Sequence, residues 1–170
     1  MESDDKIINK VAESGLITIN LSEYIPKGER VIFDLKHNLF KGLILKEKDF
    51  RQFIKEHDWE AYKGKHVGIT CSADVIIPIW SYMLVASELK QHAETVFLGN
   101  EKELNTHLVL CALNKLDIKL FADQRVIIKG CGDESINAAV YVEITRLLVP
   151  HVKSLMYGEP CSTVPIFKKK

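Results

Sequence analysis

The order of apolar and polar residues predicts two kinds of segment along the chain. In the first 46 residues, "LITIN" and "RVIFDLKHNLFKGLIL" predict strands, and the second run is expected to fold at "KHN" into an antiparallel β-hairpin. From residue 47 onward, helical patterns alternate with short apolar runs such as "VGIT", "VFLG" and "RVII". This alternation indicates crossover units and a parallel sheet, and unbroken apolar runs are typical of strands that are buried on both faces.

These patterns predict an α/β fold in a single domain that covers residues 1–170. We expect a mixed sheet in which an N-terminal β-hairpin is followed by alternating helices and parallel strands. Residues 1–46 are predicted to be mostly β, residues 47–158 to alternate, and residues 159–170 to form a cysteine-bearing C-terminal loop and tail. Asn100, with Glu103 three residues later, predicts a capping box at the start of one helix.

Composition and charge narrow the range of partners. Lys and Arg total 23, as do Asp and Glu, so the net charge is zero. Because nucleic-acid-binding proteins usually carry a basic excess or stripe, we expect no nucleic-acid partner. The start "MESDDKIINK" lacks the pattern of a signal peptide, and the longest apolar run, "VIIPIWSYMLVASEL", is too short to span a membrane. The sequence therefore predicts a cytoplasmic protein with no membrane contact.

The spacing of the cysteines suggests a site. Cys131 follows Cys71 by 60 residues and precedes Cys161 by 30, while a strand–helix–strand unit occupies about 30 residues. Each of the three follows a predicted strand, so all three are expected at the carboxyl edge of the sheet, where open α/β sheets bind ligands. Cys111 falls within a helical pattern and is expected to be a small buried apolar residue.

Three functions are compatible with this arrangement. The first is a metal or cluster site with Cys71, Cys131 and Cys161 as ligands and His37 or Asp133 as the fourth, because thiolates suit zinc and iron–sulfur clusters. The second is a thiol-dependent enzyme that uses Cys161 or Cys131 without a metal, with His37 as the base that could reach the thiol. No catalytic residue is assigned.

The third function is a non-catalytic ligand-binding or protein-interaction module whose small-molecule ligand is unknown. The helix "IIPIWSYMLV" is apolar around most of its circumference. Such a helix is either buried within the fold or faces a second subunit in a homo-oligomer. Burial between the sheet and the neighbouring helices is the simpler expectation.

Five stretches of the chain are similar to a known bacterial family, the domain of unknown function 2480. They are "PKGERVIFDLK", "GLILKEKDFRQFIKEHDW", "VGITCSADVIIPIWSYMLVASEL", "YVEITR" and "SLMYGEPCSTVP", and the cysteine-bearing stretches are the most specific. The chain resembles this family over nearly its whole length. The resemblance implies a bacterial, cytosolic protein, and it identifies neither a catalytic residue nor a cofactor.

Overall fold

The structure, a computed structural model, describes residues 15–129, 136–159 and 161–170. Strands and helices alternate along these residues, which confirms the predicted α/β class. In chain order the elements are β1 (Leu16–Ile19), β2 (Arg30–Asp34), α1 (Glu47–Glu56), β3 (His66–Thr70), α2 (Ile79–Leu89), β4 (Thr95–Leu98), α3 (Glu101–Leu113), β5 (Arg125–Ile128), α4 (Ala138–Leu148), β6 (Ser154–Glu159) and β7 (Ser162–Lys168). None of the helices formed by the described residues is long and apolar enough to cross a membrane.

The strands form two sheets rather than the single sheet that the sequence predicted. One sheet has three parallel strands in the order β2-β3-β4, and the other has the order β1-β5-β6-β7 with only β7 antiparallel. The chain accordingly divides into two compact units. We call Pro26–Leu108 the central unit, and Met1–Ile25 together with Val109–Lys170 the terminal unit. The assignment of the whole chain to one domain stays a prediction.

The predicted N-terminal hairpin is wrong. β2 pairs in parallel with β3, from Arg30 opposite His66 to Asp34 opposite Thr70. At the proposed hairpin turn the chain instead forms a short 3-10 helix, Leu35–Asn38, whose first turn is capped by the Asp34 carboxylate, which accepts from the Lys36 N–H at 3.0 Å. A side chain that caps the turn in this way ends the strand and sends the chain away from it.

The predicted C-terminal tail is a strand. Ser162–Lys168 forms β7, which pairs antiparallel with β6 and makes the antiparallel part of the mixed sheet. Pro165 lies where the register shifts on this edge strand, which is a position that tolerates a residue without an N–H. Phe167, opposite Leu155, packs against the core of the terminal unit and fixes the strand.

Each unit has its own apolar core. In the central unit, Phe33 stacks on Trp59 with ring centroids 5.7 Å apart, and the Trp59 indole N–H donates to the Ile54 carbonyl at 2.8 Å. The fully buried side chains of this core include Val67, Val85 and Leu89. The core of the terminal unit is built by β1, β5, β6, α3 and α4, and includes Ile19, Leu113, Val126, Ile144, Leu148 and Leu155.

The two units share a run of elements in the same order, and adding 59 to a residue number in this run of the central unit gives the corresponding residue in the terminal unit. This shift of 59 residues relates the 3-10 helix Trp59–Tyr62 to Ile118–Phe121, β3 to β5, α2 to α4, and β4 to β6. Loop details follow the same shift: Gly64 (φ 68°) donates its N–H to the His92 carbonyl at 3.0 Å, and Asp123 (φ 54°) donates to that of His151 at 2.8 Å. The chain therefore contains one strand–helix–strand plan twice.

The first strands of the two units also correspond. β2 ends at Asp34, which caps the 3-10 helix Leu35–Asn38, and β1 is followed by Asn20, which caps the 3-10 helix Leu21–Tyr24. Each of these strands pairs in parallel with the middle strand of its unit, β3 or β5. The carboxyl ends of three parallel strands therefore meet in each unit, which is where a site is expected.

Candidate functional site

Cys71 lies directly after β3 in the central unit. Its side chain is half-buried and packs against the apolar core of that unit. The Sγ atom lies 3.8 Å from the Ala73 carbonyl oxygen, in the geometry of a weak S–H donor. The thiol is therefore held within its own loop.

A carboxylate beside Cys71 joins the ends of β2 and β3. Asp34 accepts from the Ser72 hydroxyl at 2.6 Å and from the Ser72 N–H at 3.0 Å, and the Lys36 ammonium lies at 3.3 Å. We call this arrangement the Asp34 clasp. Burial alone would raise the pKa of Asp34, but the hydrogen bonds from Ser72 and Lys36 outweigh it and lower the pKa to about 2. The Asp34 carboxylate is therefore ionised at neutral pH, and both of its oxygens already accept hydrogen bonds.

Tyr82, on α2, lies close enough to Cys71 and Asp34 for them to affect the pKa of its hydroxyl. Burial raises the pKa of its hydroxyl, and electrostatic interaction with Cys71 and Asp34 raises it further. The carboxyl end of the three-stranded sheet thus combines a fixed carboxylate, a thiol and a phenol. The clasp could not be predicted from the sequence, because Asp34 and Ser72 lie 38 residues apart and neither occurs in a recognisable motif.

Cys161 lies in the terminal unit, in the tight connection between β6 and β7, and is exposed. The strand before it ends at Glu159, whose carboxylate lies 4.0 Å from the Lys129 ammonium. Lys129 directly follows β5, so this ion pair links the carboxyl ends of β5 and β6. The Cys161 thiol is therefore presented to solvent two residues beyond a fixed strand end.

Two of the predicted ligands, Cys131 and Asp133, lie outside the described residues. In sequence, Cys131 follows the last residue of β5 by three positions. β5 and β6 are neighbouring parallel strands, with Ile128 opposite Tyr157. The strand ends that precede Cys131 and Cys161 are thus adjacent in one sheet, whereas Cys71 follows a strand of the other sheet. The assumption that all three follow strands of one sheet is wrong, because β3 pairs with β2 and β4, whereas β5 and β6 pair with each other, with β1 and with β7.

His37, a predicted fourth ligand, lies in the 3-10 helix after β2 and is exposed. It lines a small cleft of about 230 Å³ that is also lined by Lys46 and Asp49. Among the residues that the structure describes, no three His, Cys, Asp or Glu side chains are grouped so that they could hold a metal ion. The ligand set of Cys71, Cys131 and Cys161 needs Cys131, so it stays a prediction.

The expected burial of Cys111 is wrong. Cys111 is exposed, because α3 buries Leu104, Leu108 and Leu113 on another face of the helix. The residues around it, "LVLCAL", are all apolar, so the pattern does not indicate which side of the helix faces the core.

Burial of the whole apolar helix "IIPIWSYMLV" is also wrong. Val85 and Leu89 of α2 are fully buried, but Ile79 and Met83, one turn apart, are 71% and 67% exposed. Ile76, just before the helix, is 96% exposed. We call Ile76, Ile79 and Met83 the α2 apolar patch. Its exposure is compatible with the alternative prediction that this helix faces a second subunit.

Comparison with known proteins identifies the family. The family model described as "Protein of unknown function (DUF2480)" matches residues 5–169, and the chain belongs to this family. No curated protein and no solved structure matches the chain.

Proposed function

We propose that this member of the DUF2480 family binds a thiophilic metal ion through Cys131 and Cys161 at the carboxyl end of the four-stranded sheet. The observation that carries the proposal is that β5 and β6, the strands before these two cysteines, are parallel neighbours. Neighbouring strands lie about 4.8 Å apart, so the two short segments that follow them start side by side.

Chain geometry limits how far the two thiols can separate. Lys129 and Glu159 are joined by an ion pair of 4.0 Å, and each cysteine comes two residues later. Two residues span at most about 7 Å. Segments this short that start on neighbouring strands allow both thiols to reach one metal ion, which thiolates bind at about 2.3 Å.

The chemistry of the segment around Cys131 supplies a further ligand. Asp133 comes two residues after Cys131, and a carboxylate completes zinc sites that have thiolate ligands. Zinc suits two thiolates and a carboxylate with an open position, whereas an iron–sulfur cluster needs more thiolates than one edge of this sheet offers in sequence. We therefore favour zinc, and we also propose a cytosolic location, because such thiols must remain reduced.

Metal content tests this proposal. The full chain, purified without chelator, is expected to contain close to one zinc per chain. Cys131→Ser and Cys161→Ser should each lose most of it, because one thiolate is removed. Cys71→Ser is the matched control and should retain the metal, since Cys71 follows β3 of the other sheet. Circular dichroism verifies that each variant is folded.

Two results would count against the metal proposal. Full zinc retention in Cys161→Ser would remove Cys161 from the site, and loss of zinc in Cys71→Ser would require a ligand set that spans both sheets. Metal-free wild-type protein in which Cys161 or Cys131 reacts much faster with iodoacetamide than Cys71 does would instead favour the thiol-dependent enzyme.

A second candidate function is self-association through the α2 apolar patch. Its support is the exposure of Ile76, Ile79 and Met83. No charged residue occurs from Val75 to Ser87, and the chain has a net charge of zero. A second copy of this chain that meets the patch with its own buries an uncharged stretch of α2 in return. Three side chains form a small contact compared with the roughly 800 Å² per partner of a stable interface, so we expect weak association.

The variant Met83→Glu tests self-association, and Val142→Glu is its matched control. Val142 occupies the equivalent position on α4 and is 69% exposed, compared with 67% for Met83. In sedimentation equilibrium, the wild type and Val142→Glu should gain mass with concentration, and Met83→Glu should remain monomeric because the new charge would be buried. A wild type that stays monomeric at millimolar concentration would overturn this candidate.

A further inference from the structure

A cleft of about 410 Å³ opens in the terminal unit, where β5 and β6 begin and β7 ends. Four basic residues line it, Arg125, Lys153, Lys168 and Lys169, and Met156 and Phe167 contribute apolar surface. Its volume lies in the range of small-molecule sites, about 300–1,000 Å³. The cleft is distinct from the carboxyl end of the sheet, where the metal proposal places its ligands.

Strand register fixes where the cations of the cleft lie. Arg125 of β5 pairs with Ser154 of β6, and Ser154 pairs with Lys168 of β7. A cation therefore stands on each side of Ser154 in one row across the sheet. Lys153 precedes this row, and the Lys169 N–H donates to the Lys153 carbonyl at 2.9 Å, which holds the end of β7 against the start of β6.

The described residues neutralise only part of this positive charge. Lys169 donates to the Asp123 carboxylate at 2.8 Å. Within the described part of the chain, this is the only ion pair that involves one of the four cations. Among the described residues the other three cations of the cleft form no ion pair, and the Asp123 carboxylate, whose pKa is lowered by Lys169 and also by Lys153, offsets only part of their charge. Such an excess attracts a ligand with more than one negative charge.

The central unit shows that the fold does not need these cations. The 59-residue shift places His66, Glu94 and Phe97 at the positions of Arg125, Lys153 and Met156. His66 is buried and hydrogen-bonded to Thr95 and Lys27, and Glu94 carries the opposite charge to Lys153. The basic cleft is therefore a feature added to the shared plan, and two of its four cations come from Lys168 at the end of β7 and from Lys169 just after it.

We propose that this cleft binds a phosphomonoester that carries a small aromatic or aliphatic group. The phosphate dianion lies between Arg125 and Lys168, where the guanidinium can donate two parallel hydrogen bonds and the ammonium supplies a second charge. The apolar group lies against Met156 and Phe167. Neither a neutral apolar molecule nor a bare inorganic anion satisfies both halves of the cleft.

Binding of 1-naphthyl phosphate to the full chain, followed by isothermal titration calorimetry, tests the proposal. Inorganic phosphate and 1-naphthol, the two halves of this probe, should each bind at least about tenfold more weakly. Arg125→Gln/Lys168→Gln should weaken binding of the probe by about tenfold or more. Lys115→Gln/Lys119→Gln removes two exposed cations of the same unit that do not line the cleft, and should bind as the wild type does.

Lys153→Gln is a second variant in case the double variant fails to fold, and it should also weaken binding. The proposal is overturned if the wild type does not bind 1-naphthyl phosphate at millimolar concentration, or if the cleft variants bind it as tightly as the wild type. Equal affinity for 1-naphthol or inorganic phosphate would also overturn it, as would displacement of the probe by a single-stranded oligonucleotide at lower concentration. The Cys161→Ser variant should bind the probe normally, which separates this site from the metal proposal.

Discussion

The central and terminal units use one plan for different chemistry. Both have a first strand that ends in a capped 3-10 helix, a parallel middle strand, a crossover helix and a third strand. Buried positions are preserved by the 59-residue shift, as in Leu89 and Leu148, which are both fully buried. The ends of the strands are not preserved. The difference teaches that the core sets the fold, while the loops and the added strand β7 carry what distinguishes the units.

The carboxyl ends of the strands show the difference most clearly. In the central unit, Asp34 and Ser72 close the edge with a 2.6 Å hydrogen bond. In the terminal unit, Asn20 occupies the position of Asp34. The 59-residue shift places Cys131, which lies outside the described residues, at the sequence position of Ser72. A hydroxyl that holds two strands together in one unit thus corresponds to a thiol in the other.

The largest expected effect tests whether the two cores are equivalent. Leu89→Ala and Leu148→Ala each remove a fully buried side chain at the same position of the plan. Each should lower the free energy of unfolding by about 2–5 kcal/mol, because the lost transfer energy and the cavity add. Urea denaturation followed by circular dichroism measures both losses.

Leu120→Ala is the control for this pair, because Leu120 is 67% exposed and its truncation should change stability by no more than about 0.5 kcal/mol. The equivalence of the two cores fails if one of the buried leucines can be truncated at no more cost than Leu120.

A smaller effect is expected from removing the charge of the Asp34 clasp, which only the central unit has. Asp34→Asn gives the central unit the cap of the terminal unit, and should cost about 1 kcal/mol at neutral pH because a charged acceptor is lost. The folded pKa of Asp34 is about 2, below its ordinary value of 3.8. Its ionised form therefore stabilises the fold fully above about pH 5, and this stabilisation is lost as the pH falls towards 2.

Stability measured from pH 7 to pH 2 should then show the wild type and Asp34→Asn converging at the acidic end. Asp117→Asn is the matched control, because Asp117 caps a 3-10 helix by accepting from the Lys119 N–H at 3.1 Å, as Asp34 does from Lys36, but has no partner like Ser72 in the described residues. A constant difference between wild type and Asp34→Asn over the whole pH range would refute the role of the charge.

Local patterns predicted the elements whose determinants are local. The apolar runs at β3 and β5 are strands, and the predicted capping box is present: Glu103 donates its N–H to the Asn100 side chain at 3.1 Å, and Asn100 donates to Glu103 at 2.8 Å. Strand pairing depends on residues that are distant in sequence, so the pairing of β2 with β3 and the division into two sheets could not be read from those runs.

The duplication can be seen in the sequence, but only when the chain is aligned with itself instead of being searched for local patterns. Aligning the chain with itself at a shift of 59 matches identical residues, including Val67 with Val126, Leu89 with Leu148, His92 with His151 and Gly99 with Gly158. The positions of Cys71 and Cys161 after strands followed from local patterns. That they follow strands of different sheets did not, because sheet membership is a long-range property.

The number of thiolates around the metal tests the central claim most directly. We expect the cobalt-substituted protein to show thiolate-to-cobalt charge-transfer absorption with the intensity of two thiolates per metal, unchanged in Cys71→Ser and at about half in Cys161→Ser and in Cys131→Ser. An absorption of three thiolates that falls in Cys71→Ser, or no such absorption in the wild type, would contradict a site formed by Cys131 and Cys161.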